Sequence, residues 1–168
     1  MNFSKTLFVI LLLVAPFSAY AQWSGGVAYS SGALDGDGVD VDLGMVSASL
    51  AYSFGESNGF SNIVEVRLGT GASDDTLLGV DVELDSFVQI AYRPQFEIDN
   101  NFYVYGLLSY ASVEFELSEL GASTTVDGDE AGIGAGIGYR LTDSVDAEVS
   151  YESIDDFDVF TLGLKFGF

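Results

Sequence analysis

Val159-Phe160-Thr161-Leu162-Gly163-Leu164-Lys165-Phe166-Gly167-Phe168 is the stretch on which the fold turns. Phe160, Leu162, Leu164, Phe166 and Phe168 alternate with Val159, Thr161, Gly163, Lys165 and Gly167. Period-two alternation describes a β-strand with one apolar face and one small or polar face. The length matches a tilted strand crossing a bilayer, about 9–11 residues. Taken alone, the segment suits the edge of a soluble sandwich or one stave of a membrane barrel. The rest of the chain decides for the barrel.

Residues 1–21 read as an export signal. Lys5 gives the positive start, Leu7 to Phe17 an apolar core too short to span a membrane, and Ala19-Tyr20-Ala21 the cleavage site. The expected mature chain, Gln22 to Phe168, has 147 residues (168 less 21), which is one barrel domain with room for eight spanning strands. There is no Cys, hence no disulfide framework. There is no His, which removes the commonest general base and metal ligand. No Ser has an evident activating base, so the chain reads as non-enzymatic, and no cofactor is expected. No apolar run after Gln22 approaches the roughly 18 residues of a spanning helix. Yet 48% of the chain is hydrophobic and its mean hydropathy is positive. A lipid-facing barrel gives that apolar surface a place. The formal charge is −21, or −22 once Lys5 is removed, which excludes nucleic acid as a partner.

Turn signals divide the mature chain into eight alternating segments: Trp23–Tyr29, Val41–Phe54, Ile63–Gly71, Val82–Phe96, Phe102–Phe115, Ala131–Leu141, Val145–Ile154 and Val159–Phe168. Their connections alternate. Gly55–Asn62, Glu97–Asn101 and Thr142–Ser144 are short, whereas Ser30–Asp40, Ala72–Asp81 and Leu117–Glu130 are longer and acidic, followed by the short Asp155–Asp158. The predicted fold is all-β: an eight-stranded antiparallel up-and-down transmembrane β-barrel with short periplasmic turns and longer acidic extracellular loops.

Charged residues choose the face that points to lipid. All four basic residues of the mature chain, Arg67, Arg93, Arg140 and Lys165, fall on the non-apolar face of a strand. Glu65, Glu83, Asp85, Glu114, Asp146, Glu148 and Glu152 share that face. This reading puts Tyr103, Tyr105, Leu107, Ala111 and Val113 on the lipid side of the fifth segment and Glu114 inside. An eight-stranded interior is just wide enough for side chains to fill it. A buried charge there costs several kcal/mol unless paired. An internal ion-pair network is therefore predicted over Glu65, Arg67, Glu83, Arg93, Glu114, Arg140, Asp146, Glu148, Glu152 and Lys165. Hairpin counting places Arg140 near Asp146 and Lys165 near Glu148. The stripe Gly132, Gly134, Gly136 and Gly138 would leave room for long Arg and Glu side chains. Aromatics, Tyr103 among them, collect near strand ends as two interfacial girdles.

Asp35-Gly36-Asp37-Gly38-Val39-Asp40 begins like a calcium loop, but Val39 and Val46 stand at the fifth and twelfth positions, where an EF-hand needs ligands. Weak divalent-cation binding by Asp35, Asp37, Asp40, Asp127, Asp129 and Glu130 is the remaining expectation; no defined metal site is predicted.

Gly132-Ile-Gly-Ala-Gly-Ile-Gly-Tyr139-Arg140-Leu141, the short turn, Val145–Tyr151 and the closing Leu162-Gly-Leu-Lys-Phe-Gly-Phe168 resemble the small eight-stranded outer-membrane barrels of the OmpA/OmpX type. The resemblance covers the whole mature chain. It implies residence in the outer membrane, with outer-membrane lipid and lipopolysaccharide as neighbours, the latter through divalent cations. It implies Phe168 as part of the signal read by the barrel assembly machinery. The enzymatic members of that family act through His, which this chain lacks. Two functions stay open: a surface or envelope barrel whose lumen is closed by ion pairs, and a narrow cation-preferring channel, favoured by a lumen count of seven acids to four bases.

Overall fold

Period-two patterning is realised as antiparallel strands throughout the computed structural model, which describes residues 22–36, 39–73, 75–77, 80–119, 122–155 and 157–168. The strands are β1 (Trp23–Gly36), β2 (Val39–Ser57), β3 (Phe60–Ser73), β4 (Asp75–Leu77), β5 (Val80–Glu97), β6 (Phe102–Glu119), β7 (Ala122–Thr142), β8 (Val145–Ile154) and β9 (Phe157–Gly167). β3 and β4 both pair with β5, one beyond the other, and together make a single stave. The order is β3-β2-β1-β9-β8-β7-β6-β5, and the β3–β5 pairing closes the ring into an eight-stave barrel. Closure removes the unpaired edges that lipid cannot hydrogen-bond. The expected signal segment, residues 1–21, lies outside the described residues.

The short connections are built from local turn chemistry. Asn58 and Gly59 both carry positive φ, 52° and 78°, as a two-residue type I′ hairpin requires. Asp99 Oδ1 accepts the backbone N–H groups of Asn101 and Phe102, each at 2.8 Å. Those two bonds hold its carboxyl below the usual range.

The opposite end departs from the sequence reading. The segments expected as long acidic loops are mostly strand. β1 and β2 stay paired out to Gly36↔Val39, and β6 and β7 out to Glu119↔Ala122. β7 runs 21 residues, about twice what crosses a bilayer. Alternations such as Val39-Asp40-Val41-Asp42 suit a two-sided ribbon in water, and a ladder begun in the barrel propagates along them. Asp35, Gly36 and Asp40, which resemble loop signals, sit inside these ribbons.

The lipid-facing belt follows the alternation in most strands. Val64, Val66 and Leu68, Val88 and Ile90, Ile133 and Ile137, and Leu162 and Leu164 are all exposed. Ile133 keeps 65% of its surface, which water would penalise and hydrocarbon does not. Trp23, Phe54, Phe96 and Tyr139 stand exposed toward the short-turn end, and Tyr29, Tyr151 and Phe160 toward the other.

Two face assignments are corrected. In β6 the faces are reversed: Tyr103, Tyr105, Leu107 and Ala111 are buried inside, while Val104, Leu108 and Tyr110 are exposed. Both faces of β6 are apolar, so alternation carries no sign there. Tyr103 is consequently a lumen residue, not a girdle residue, and Glu114 points outward, accepting a hydrogen bond from Ser86 Oγ at 2.7 Å. In β5 a bulge between Leu84 and Ser86 shifts the register. The extra residue inverts the facing beyond it, so Leu84 is buried and Asp85 is exposed.

Candidate functional site

Six charges cross the lumen as one network. Glu65 on β3 is at its hub: Oε1 accepts Arg67 Nε at 2.9 Å, and Oε2 accepts Lys165 Nζ at 2.6 Å and Arg93 Nη1. Arg93 on β5 also reaches Glu148 Oε1 on β8 at 2.6 Å. Three strands separate β3 from β8 in either direction round the ring, so this pair of contacts joins opposite walls. A second tier lies toward the long hairpins. Arg67 Nη1 donates to Gln89 Oε1 at 3.1 Å, and Gln89 Nε2 to Glu152 Oε1 at 2.9 Å. Arg67 also stands 3.7 Å from Glu152 Oε2, and Ser109 Oγ donates to Glu152 Oε1. Arg93 is 0% exposed and Glu65 1%.

Charge balance makes such burial tolerable. Glu65, Glu148 and Glu152 match Arg67, Arg93 and Lys165. Breaking a buried pair by removing one partner costs about 3–5 kcal/mol, because the survivor is left uncompensated. Tyrosines complete the coordination. Tyr103 Oη lies 2.8 Å from Glu148 Oε1 and 3.1 Å from Asp146 Oδ2. Tyr105 Oη reaches Glu148 Oε2 at 3.5 Å, and its ring centroid lies 3.9 Å from the Arg93 guanidinium carbon.

The glycine stripe explains how these rings fit. Each of its members faces an inward residue of β6: Gly138↔Tyr103, Gly136↔Tyr105, Gly134↔Leu107 and Gly132↔Ser109. A Cβ at Gly138 or Gly136 would overlap the ring of Tyr103 or Tyr105. At Gly138 and Gly136 the space serves tyrosines; at Gly132 it lies against the Glu152 carboxylate and the Ser109 hydroxyl, as the sequence led one to expect of a Glu. Gln89, Tyr103, Tyr105 and Ser109 are the network members that sequence reasoning missed; the stripe itself was the available signal, since a wall without side chains calls for large ones opposite.

Of the two expected cross-strand placements one holds in register and one moves. Arg140 and Asp146 are opposite in register, but Arg140 donates to Glu97 Oε1 at 2.6 Å and to the Asn100 carbonyl at 3.1 Å, at the short-turn mouth. Lys165 is opposite Asp146 rather than Glu148, because β8 and β9 remain paired to Ile154↔Phe157 and their turn is tighter than expected. The Glu83 side chain lies outside the described residues. Of the weak cation set, Asp37 lies outside them altogether, as do the side chains of Asp35, Asp40 and Asp127. Asp129 and Glu130 are exposed, and no group of three carboxylates that could hold a metal ion occurs among the described residues. Asp85 and Glu114 lie outside; within, Glu65, Glu148 and Glu152 meet Arg67, Arg93 and Lys165, and at the short-turn mouth Arg140 meets Glu97, with Asp146 nearby. The buried network itself is three acids against three bases, without the acid excess that favoured cation passage.

The sequence matches the family described as "Outer membrane protein beta-barrel domain" over residues 6–168. No curated protein matches it. Among solved structures it resembles Ail, the attachment invasion locus protein of Yersinia pestis, at 21% identity with a TM-score of 0.64, covering 88% of this chain and 97% of that one. It resembles Neisserial surface protein A at 11% identity and a TM-score of 0.67, over 88% and 98%. The N-terminal β-barrel domain of Pseudomonas aeruginosa OprF matches at 14% identity and a TM-score of 0.60, over 89% and 100%. Identities this low speak for the fold.

Proposed function

This chain belongs to the outer membrane protein β-barrel domain family and resides in the outer membrane, and on that premise we propose a non-enzymatic surface barrel, closed to ions by its lumen network. Its role is exercised at the acidic outer ribbons, in the envelope or toward surface partners. The carrying observation is Arg93, fully buried and held by Glu65 and Glu148 from opposite walls. An ion on the barrel axis would have to displace a bonded charge. The outer ribbons are rich in Asp and Glu and hold none of the four mature basic residues. Ail has been solved with the heparin analogue sucrose octasulfate; a sulfated ligand of that kind is repelled by ribbons of this composition. Divalent cations bridging to lipopolysaccharide, or cationic partners, suit them instead.

Planar-bilayer conductance of the folded barrel in monovalent salt tests the closed lumen. Silence is expected from the natural chain. Reproducible discrete steps from protein verified as folded would replace this reading with a narrow pore.

A further inference from the structure

Beyond the network, toward the long ribbons, the lumen does not stay filled. A cavity of about 350 Å³ opens there. That lies within the range of small-ligand pockets, roughly 300–1,000 Å³. Its walls are apolar: Leu43, Met45, Leu84, Phe87, Ile154 and Val159. Its floor is Arg67, Gln89 and Glu152, which are already bonded to one another. Its rim carries Glu130 and Asp155, both exposed. An inward apolar cluster beside empty space forfeits dispersion contacts, and a dry apolar cavity readily takes an apolar guest.

We infer that this cup binds a single-tailed amphiphile with a cationic head, tail inward against the apolar wall and head between Glu130 and Asp155. Charge selects the head group. Arg67, the one cation lining the cavity, is committed to Glu65, Gln89 and Glu152, so a carboxylate or phosphate head finds two acids at the rim and no free cation. The inference rests on the closed lumen proposed above, since the network is the floor of the cup.

Met45 supplies the test. It is the one methionine of the expected mature chain, so a ¹³C-methyl label gives a single resonance inside the cup. The folded barrel in phospholipid nanodiscs is titrated with decyltrimethylammonium and, separately, with decanoate. A saturable Met45 shift is expected, with the ammonium binding at least about tenfold more tightly. Glu130→Gln with Asp155→Asn should bring the two probes to within about twofold. Asn suits the positive φ of 52° at residue 155, so this variant keeps its turn. Val159→Phe, which fills the cup, should abolish the shift. Equal response to both probes would overturn the charge selection. A Met45 methyl already against lipid acyl protons and deaf to both probes would assign the cup to bilayer lipid and overturn the proposal. Conductance of the same preparation separates the two readings. A silent barrel with an unresponsive Met45 loses the cup alone, and a conducting one loses the closed floor as well.

Discussion

Arg93 is the residue on which the lumen depends most. Replacing it by Met leaves Glu148 buried with only tyrosine hydroxyls, while Glu65 keeps Lys165 and Arg67. The Arg93→Met barrel should lose about 3–5 kcal/mol, read as a lower urea midpoint in lipid vesicles. Adding Glu148→Gln restores neutrality and should recover most of that loss. If the double variant is no more stable than the single one, charge balance is not what holds the network. Arg93 was legible in the sequence because a lone cation in an apolar alternating strand has only the lumen to enter. Its partners were not legible. Glu65 and Glu148 belong to opposite walls, and hairpin counting finds neighbours along a ladder, not side chains that meet across a barrel.

At the scale of elements, β6 and β7 act as one unit in which missing side chains on one strand admit rings from the other. Gly138→Ala should therefore cost about 1–3 kcal/mol by overpacking against Tyr103. Gly128→Ala, where nothing lies within 4 Å, should be near neutral. In a double-mutant cycle with Tyr103→Ala, the pair should cost less than the sum of the singles, by about 0.5–3 kcal/mol. Strict additivity would mean that the ring does not occupy the glycine's space. β7, β8 and β9 announce their faces in the sequence because polar and apolar residues separate cleanly. β6 does not, since Tyr, Leu and Ala are inside while Val, Leu and Tyr are outside. The bulge at Asp85 was equally hidden: one inserted residue reverses the faces on its ribbon side, at Leu84 and Asp85, without altering composition.

The whole molecule is polarised in charge. The buried network is balanced at three against three, so the net −22 of the expected mature chain resides outside it, on the mouths, turns, ribbons and outer surface. Lipopolysaccharide is itself anionic, and like charges at a crowded surface repel over a Debye length, about 10 Å at 0.1 M salt and 3 Å at 1 M. Association of the barrel with lipopolysaccharide in a supported bilayer should therefore need millimolar Mg²⁺. It should fall when a chelator is added and return in part when monovalent salt alone is raised, since screening removes repulsion without building a bridge. Lateral diffusion of labelled barrel in lipopolysaccharide-containing and lipopolysaccharide-free leaflets measures it. Diffusion indifferent to both chelator and ionic strength would mean that the acidic ribbons do not face the lipopolysaccharide layer electrostatically. Their role would then lie with a partner beyond it. The backbone of these ribbons is paired out to Gly36↔Val39 and Glu119↔Ala122, so on the proposed reading the charge they carry belongs to a ladder of fixed register and not to a slack loop.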